Sequence, residues 1–153
     1  MGFAYIYCLC SVAGISDVSQ VPSVLMAVKG SSVQLNCTHK KDSSFVQMYW
    51  YRQRPGQTMT LIVFTSTLSS KHDYGDSDPN KFPVIKTVPE SGSLTVNNVE
   101  SDDSAIYFCS VSKHTVCQRL ESAVQKHSCI KRSVTALVNR WQSGITNVPR
   151  QNN

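Results

Sequence analysis

Residues 103–109 read Asp-Ser-Ala-Ile-Tyr-Phe-Cys, and this stretch decides the fold of the chain. Ala105, Tyr107 and Cys109 are spaced two apart, so they share one face of an extended strand. A small residue, an aromatic ring and a sulfur on one face suit a packed interior. We therefore expect Cys109 to point into a core.

A second strand, residues 33–37, carries another inward cysteine. Its apolar positions alternate with Gln34 and Asn36, which brings Cys37 to the apolar face. Cys37 and Cys109 lie 72 residues apart and could close a disulfide across two sheets. The alternative is a pair of unrelated buried thiols.

The remaining pattern between residues 17 and 109 is one of short alternating runs separated by turn residues. Met48 and Trp50 share a face, so Trp50 would pack on a Cys37–Cys109 bridge. Residues 54–57, Arg-Pro-Gly-Gln, then predict a tight turn and a hairpin. Short strands at such spacing indicate an antiparallel sandwich or barrel.

Length and charge exclude several classes of protein. The 153 residues suffice for one domain and leave no room for a second catalytic one. The net charge of +5 is concentrated after residue 109, where seven Lys or Arg and one acidic residue give +6. The globular part therefore offers no basic patch for nucleic acid. No run of 18 apolar residues is present to contact or cross a membrane.

The first 16 residues resemble a secretory leader. The apolar run of residues 3–13 has the length of a signal-peptide core, and the small residues Gly14 and Ser16 suit cleavage. Residues 1–16 are therefore predicted to be a signal peptide, whose removal takes Cys8 and Cys10 with it. The alternative is a partly buried first strand.

The hallmark residues of this chain resemble those of an immunoglobulin variable domain. Cys37, Trp50 and residues 103–109 match that set, and Tyr107 matches its tyrosine corner. Residues 48–53 are similar to T-cell receptor beta variable segments. The resemblance implies an all-β, immunoglobulin variable-type antiparallel β-sandwich over residues 17–112.

Two departures from the variable-domain pattern accompany this resemblance. Lys81 stands where an Arg commonly pairs with the Asp at position 103, so the salt bridge would lack the fork of Arg. Nothing after Cys109 resembles the Phe-Gly-x-Gly of a joining segment. The final strand is therefore expected to be missing or irregular, which would leave residues 105–110 as an exposed edge.

The resemblance also implies that the front sheet pairs with a T-cell receptor alpha chain variable domain. Tyr51, Gln53 and Phe108 alternate with inward residues and are uncharged, so they are expected to face outward, and Tyr51, Leu61 and Phe108 to be exposed in the unpaired chain. Met59 and Leu61 match further interface positions of the family. The alternative is a set of scattered surface apolar residues.

Loops at one end of the sandwich would carry recognition, and the resemblance implies peptide bound to a major histocompatibility molecule as the ligand. The loops are residues 38–47, residues 65–70 and the segment that begins at residue 110. The contact candidates are Phe45, which is the best single one as an aromatic anchor, with Gln47, Thr65, Ser66 and Ser110. Most of these residues would otherwise be ordinary solvated turn residues.

Residues 113–153 are interpreted as a disordered, non-globular tail read past a recombination signal. His114-Thr115-Val116 can be encoded by CACACAGTG, which contains the heptamer CACAGTG of such genes. After a spacer of about 23 bases, close to two turns of duplex, residues 124–127 can encode an A-rich nonamer. Cys117 and Cys129 would then have no role. A short helix around residues 134–141 is the alternative.

No enzyme motif, cofactor site or metal site is evident. His114, Cys117, His127 and Cys129 match no familiar zinc spacing. Asn36-Cys37-Thr38 is formally a glycosylation sequon, but a bridged Cys37 in a central strand argues against its use.

The sequence leaves two candidate functions open. The first is a receptor variable segment at the plasma membrane, which acts within a complete receptor. The second is a stand-alone variable-type immune or adhesion receptor.

Overall fold

The computed structural model describes residues 2–8 and 17–114, which form two β-sheets packed face to face. The strands of this part of the chain are β1 (Phe3–Cys8), β2 (Val18–Val21), β3 (Val24–Val28), β4 (Val33–His39), β5 (Gln47–Gln53), β6 (Thr60–Ser66), β7 (Ser69–Asp73), β8 (Val84–Val88), β9 (Ser91–Val96) and β10 (Ala105–Ser112). A single 3-10 turn, Ser101–Asp103, precedes β10.

The two sheets are called here the front and back sheets. The front sheet has the order β3-β1-β10-β5-β6-β7, and the back sheet has the order β2-β4-β9-β8. The predicted all-β sandwich is therefore confirmed. The predicted hairpin is present as β5 and β6, joined by a turn in which the Gln57 N–H donates to the Arg54 carbonyl at 3.0 Å. Gly56 supplies the positive φ of 69° that this turn requires.

The core lies between the sheets and consists of the inward side chains of alternating positions. Cys37 on β4 and Cys109 on β10 form a disulfide with an S–S distance of 1.95 Å, which confirms the predicted bridge between the sheets. Trp50 and Tyr107 are fully buried in the same cluster. The alternation of each strand thus positions the cysteines as expected.

Polar contacts also join the sheets. The buried Gln20 of β2 accepts a hydrogen bond from the Cys109 N–H at 2.8 Å and donates to the Tyr107 carbonyl at 3.3 Å. The Tyr107 hydroxyl donates to the Asp103 carbonyl at 3.1 Å, as expected for a tyrosine corner. These bonds fix β10 against both the back sheet and the turn before it.

Asp103 is a buried carboxylate held by two cations. Lys81 Nζ contacts Asp103 Oδ2 at 2.6 Å and also donates to the Asn98 carbonyl at 2.8 Å. Arg52 Nη1 lies 3.5 Å from Asp103 Oδ1. The Lys81–Asp103 pair is therefore present, and Arg52 adds a guanidinium group that the sequence reasoning did not anticipate.

The edge of β10 differs from the prediction. No strand follows β10 within the described residues, as the absence of a joining motif predicts, but β1 runs parallel to it in the register Ile6 with Ala105 and Cys8 with Tyr107. The prediction of an exposed edge is therefore wrong over residues 105–107. The physical reason is that Ala4 and Ile6 are fully buried on the core side. In the structure, residues 3–8 thus form the partly buried first strand that was the alternative to a leader. Removal of residues 1–16 as a signal peptide stays a prediction.

Among residues 2–8 and 17–114 there is no helix long and apolar enough to cross a bilayer. The predicted tail beyond residue 114, the alternative helix at residues 134–141 and the cysteines Cys117 and Cys129 lie outside the described residues.

Candidate binding surfaces

The outer face of the front sheet, on the side away from the core, is aromatic. The ring centroids of Tyr49 and Phe64 lie 5.0 Å apart, and those of Tyr51 and Phe108 lie 6.2 Å apart. Tyr49 and Tyr51 stack at 6.4 Å. Because Tyr49 and Tyr51 alternate with the inward Met48 and Trp50 along β5, this strand contributes side chains to both the core and the outer face.

Tyr51 is less accessible than the sequence predicts. Only 3% of its surface is exposed, because its ring is enclosed by aromatic neighbours on β5 and β10. Burial raises the pKa of Tyr51 far above its usual range, although a hydrogen bond with Ser110 opposes that rise. The expectation that Tyr51 is exposed is therefore wrong, while its position on the outer face agrees with the prediction.

The other predicted pairing residues remain partly accessible on or beside this face. Leu61, on β6, is 42% exposed and pairs with Tyr51 on β5. Gln53, Met59 and Phe108 are half-buried. Gln53 Nε2 donates to the Gln57 carbonyl at 3.1 Å, which holds its amide beside the turn. The result is an uncharged, largely aromatic surface with a partly exposed leucine at one side.

The predicted recognition loops leave the sandwich at one end. Gln47, at the start of β5, pairs with Ser112 at the end of β10 and with Ser66 at the end of β6. The loop of residues 40–46, the Thr67-Leu68 hairpin tip and residues 113–114 therefore emerge side by side. We call this region the loop end.

Phe45 lies at the loop end close to two ammonium groups. Lys41 Nζ and Lys113 Nζ each lie 5.0 Å from its ring centroid, a distance suited to a cation–π contact. The His39 ring packs beneath it at 6.1 Å. Phe45 is half-buried, so one part of the ring is anchored and the rest is available for contact.

Gln47 holds β5 to the end of β10. Its Oε1 accepts a hydrogen bond from Ser112 Oγ at 2.8 Å, and its Nε2 lies 3.1 Å from His114 Nδ1. The side chain of Gln47 is therefore engaged in positioning the strand ends rather than free for a ligand.

Besides Gln47, which begins β5, three further predicted contact residues lie in strands rather than loops. Thr65 and Ser66 are buried in β6, where Thr65 Oγ1 lies 2.9 Å from His72 Nδ1 and Ser66 Oγ accepts the Leu68 N–H at 3.2 Å. Ser110 lies within β10, because that strand continues to Ser112. The prediction that these three residues lie in contact loops is therefore wrong.

Leu68 lies within the predicted loop of residues 65–70 but was not among the predicted contact residues. It is 64% exposed at the tip of the two-residue hairpin between β6 and β7. The available signal was an apolar residue between Thr67 and two serines, which suits a tip better than a strand.

Asp42 organises the longest of these loops. Its carboxylate accepts the Ser44 N–H at 2.9 Å and the Ser44 hydroxyl, and it pairs with Lys113 at 3.2 Å. These contacts, the Ser44 hydroxyl above all, lower the pKa of Asp42 to about 2. The described residues 2–8 and 17–114 contain no cluster of His, Cys, Asp or Glu placed to hold a metal ion.

The fold and its bridge agree with a known family. The family model of the immunoglobulin V-set domain matches residues 20–125. The chain belongs to the immunoglobulin V-set family. Domains of this family are non-enzymatic receptor and antigen-binding modules, and their curated relatives include extracellular receptors.

Relatives of this V-set chain come from two receptor systems. It is 39% identical to human T cell receptor beta variable 29-1 over 95 residues, which cover 61% of this chain and 83% of that protein. It is 36% identical to human immunoglobulin lambda variable 4-3 over 99 residues, which cover 65% and 78%.

Among solved structures, the chain is similar to one from work on the structural basis of T cell specificity and activation by the bacterial superantigen toxic shock syndrome toxin-1. The TM-score is 0.58 at 28% identity, with coverage of 67% of this chain and 86% of that one.

Proposed function

We propose that this V-set chain is the variable domain of a T-cell receptor beta chain. In this proposal the outer face of the front sheet pairs with an alpha chain variable domain, and the loop end binds peptide on a major histocompatibility molecule. The observation that carries the proposal is the uncharged outer face of the front sheet beside the loop end, where Leu61, Phe64 and Phe108 remain accessible next to the buried rings of Tyr49 and Tyr51. Surfaces of this kind are typical of protein interfaces.

Leu61 and Ile85 provide a matched test of the pairing surface. Both are exposed apolar residues, at 42% and 58%, but Ile85 lies on the outer face of the back sheet. In the rearranged protein, Leu61→Lys should weaken association with an alpha variable domain by about tenfold or more, because a buried unpaired charge is costly. Ile85→Lys should leave association unchanged. Equal effects of the two substitutions would contradict this pairing surface.

Phe45 provides the test of ligand binding. In the paired receptor, Phe45→Ala should lower the affinity for peptide–histocompatibility complex by about tenfold, as expected for loss of an aromatic anchor. Association with the alpha domain should remain, because Phe45 lies in the loop rather than on the front sheet. Surface plasmon resonance measures both quantities on one sample, and unchanged ligand affinity would contradict the role of the loop end.

One observation favours a second candidate, the stand-alone variable-type receptor. Strand β1 pairs with β10, so the front sheet gains a neighbour for that strand without a joining segment. The DNA after the codon of residue 113 discriminates the two candidates. A CACAGTG heptamer with its spacer and nonamer supports the segment that rearranges, whereas a splice site leading to a membrane exon supports the stand-alone receptor.

The T-cell receptor proposal also assigns a role to each end of the chain. Residues 1–16 would be a leader for secretion to the extracellular side of the plasma membrane, and residues 113–153 would be replaced by a junction and a joining segment. Amino-terminal sequencing of the secreted protein tests the leader: a first residue near Asp17 supports it, and retention of Met1 contradicts it.

A further inference from the structure

The single Asn-x-Ser/Thr sequence of the chain lies on an exposed face of the sandwich. Asn36, Cys37 and Thr38 are consecutive in β4. Cys37 is fully buried in the disulfide, whereas Asn36 and Thr38 are exposed on the outer face of the back sheet. Because side chains alternate, the bridge and the two polar residues of the sequon occupy opposite sides of the strand.

The surroundings of Asn36 leave room for a large substituent. Its neighbours across the ladder are Val21 on β2 and Ser93 on β9, and Ser19 and Ser91 flank Thr38. These side chains are short. A group attached to the Asn36 amide would meet no long or bulky side chain on either neighbouring strand.

The outer face of the back sheet is also uncharged. The outward residues of β2, β4, β8 and β9 are Ser19, Val21, Gln34, Asn36, Thr38, Ile85, Thr87, Ser91, Ser93 and Thr95, and Val88 at the end of β8 is exposed as well. The one lysine of β8, Lys86, points inward and donates to the Val88 and Pro89 carbonyls. An exposed sheet face without charge lacks the usual protection against association, which a hydrophilic covering would supply.

The bridge of Cys37 does not prevent modification, because it forms later. Cys109 follows Cys37 by 72 residues. At a synthesis rate of about 5 to 20 residues per second, Cys109 is made roughly 4 to 14 s after Cys37. During that interval the sequon is an extended, unbridged chain.

We propose that Asn36 carries an N-linked oligosaccharide, a proposal that rests on the secretory route of the proposed function. The donor is a lipid-diphosphate-linked oligosaccharide. The Asn36 amide nitrogen forms a bond to the anomeric carbon and loses a proton, while the bond from that carbon to the diphosphate breaks and the lipid diphosphate leaves with the electron pair. The sugar then covers the back sheet, opposite the pairing surface, so it obstructs neither pairing nor the loop end.

The test is expression of the full chain in a secretory cell, followed by peptide N-glycosidase treatment and mass spectrometry. The untreated protein should carry a glycan mass that the enzyme removes, with conversion of Asn36 to Asp. Asn36→Gln and Thr38→Ala should each abolish the glycan mass, and Thr38→Ser should retain part of it because serine still completes the sequon. All four proteins should form the Cys37–Cys109 bridge, since the changed side chains are exposed.

Gly56→Asn, made in the Asn36→Gln protein, is the matched positive control. It creates Asn-Gln-Thr at residues 56–58 in an exposed turn, where asparagine tolerates the φ of 69° and a Cβ meets nothing within 4 Å. A glycan at residue 56 together with none at Asn36 in the parent chain overturns the proposed site and leaves the secretory route intact. Absence of glycan at both positions overturns the site and the secretory route together.

Discussion

At the residue scale, the buried carboxylate of Asp103 shows how a substitution is accommodated. An arginine, which offers two parallel donors, is usual at this position in the family, whereas Lys81 offers one compact ammonium group to Asp103 Oδ2. Arg52 approaches the other carboxylate oxygen, Oδ1. The Glu100 N–H also donates to Asp103 at 2.8 Å. Three donors therefore compensate a carboxylate that is almost fully buried.

We expect Lys81→Ala to lower the free energy of unfolding by about 2 kcal/mol, because it leaves a buried carboxylate with weaker compensation. Urea unfolding at neutral pH measures this change. Lys29→Ala is the control, since its pair with Glu100 is an exposed ion pair of similar length, 2.8 Å. Equal shifts in the two unfolding midpoints would contradict the importance of burial.

Asp42 gives a second prediction at this scale, on pH dependence. Its carboxyl pKa is lowered to about 2 by Ser44 and Lys113, so the contribution of the loop to stability is complete above the unfolded value of about 3.9 and is lost as pH falls toward 2. NMR titration of the Asp42 carboxyl should show this low midpoint. Ser44→Ala should raise it toward the ordinary value, whereas an unchanged midpoint in that variant would refute the assignment to Ser44.

At the element scale, β1 lies between β3 and β10 in the front sheet. It is antiparallel to β3 in the register Ala4 with Ala27 and parallel to β10. Ile6 contributes a fully buried side chain, whereas Phe3 is largely exposed. β1 thus joins the edge strand β3 to the rest of the front sheet.

We expect Ile6→Ser to destabilise the chain that retains residues 1–16 by about 1.5 to 3 kcal/mol, the value of one buried aliphatic side chain. Hydrogen exchange at the amides of residues 105–107 should accelerate, because β1 protects that edge. Phe3→Ser should change neither quantity appreciably. Unaltered exchange in Ile6→Ser would show that β1 does not hold the edge of β10 in solution.

At the scale of the whole molecule, the disulfide joins the sheets through a loop of 72 residues. Closing a loop of that length lowers the conformational entropy of the unfolded chain, which stabilises the folded state by about 4 kcal/mol in the chain-entropy model. This is a large part of the roughly 5 to 15 kcal/mol that stabilises a domain.

We therefore expect replacement of Cys37 and Cys109 by alanine to lower the free energy of unfolding by about 4 kcal/mol and to leave much of the chain unfolded at 37 °C. Urea unfolding followed by tryptophan fluorescence, to which the buried Trp50 contributes, reports the change. Replacement of Cys117 and Cys129 by alanine is the control and should leave the midpoint unchanged. A smaller loss for the first pair than for the second would contradict a structural bridge.

The sequence by itself determined the inward faces of the strands and the bridge between them. Side chains alternate with a period of two, so a short local pattern is enough to direct Leu35, Cys37, Trp50, Tyr107 and Cys109 toward one core. The turn at residues 54–57 is equally local, because proline and glycine restrict and permit backbone angles regardless of the rest of the fold. Lys81 and Asp103 were found together through the family resemblance rather than through any local pattern.

Only the tertiary structure decided how exposed the outward residues are and which strand lies beside β10. Tyr51 is buried beside the rings of Tyr49 on its own strand and Phe108 on β10, and Thr65 and Ser66 are buried because β6 continues past the predicted loop boundary. The pairing of β1 with β10 joins residues about 100 apart in the chain. Such contacts depend on which distant segments can meet in register, and a period-two pattern carries no information about the partner across the ladder.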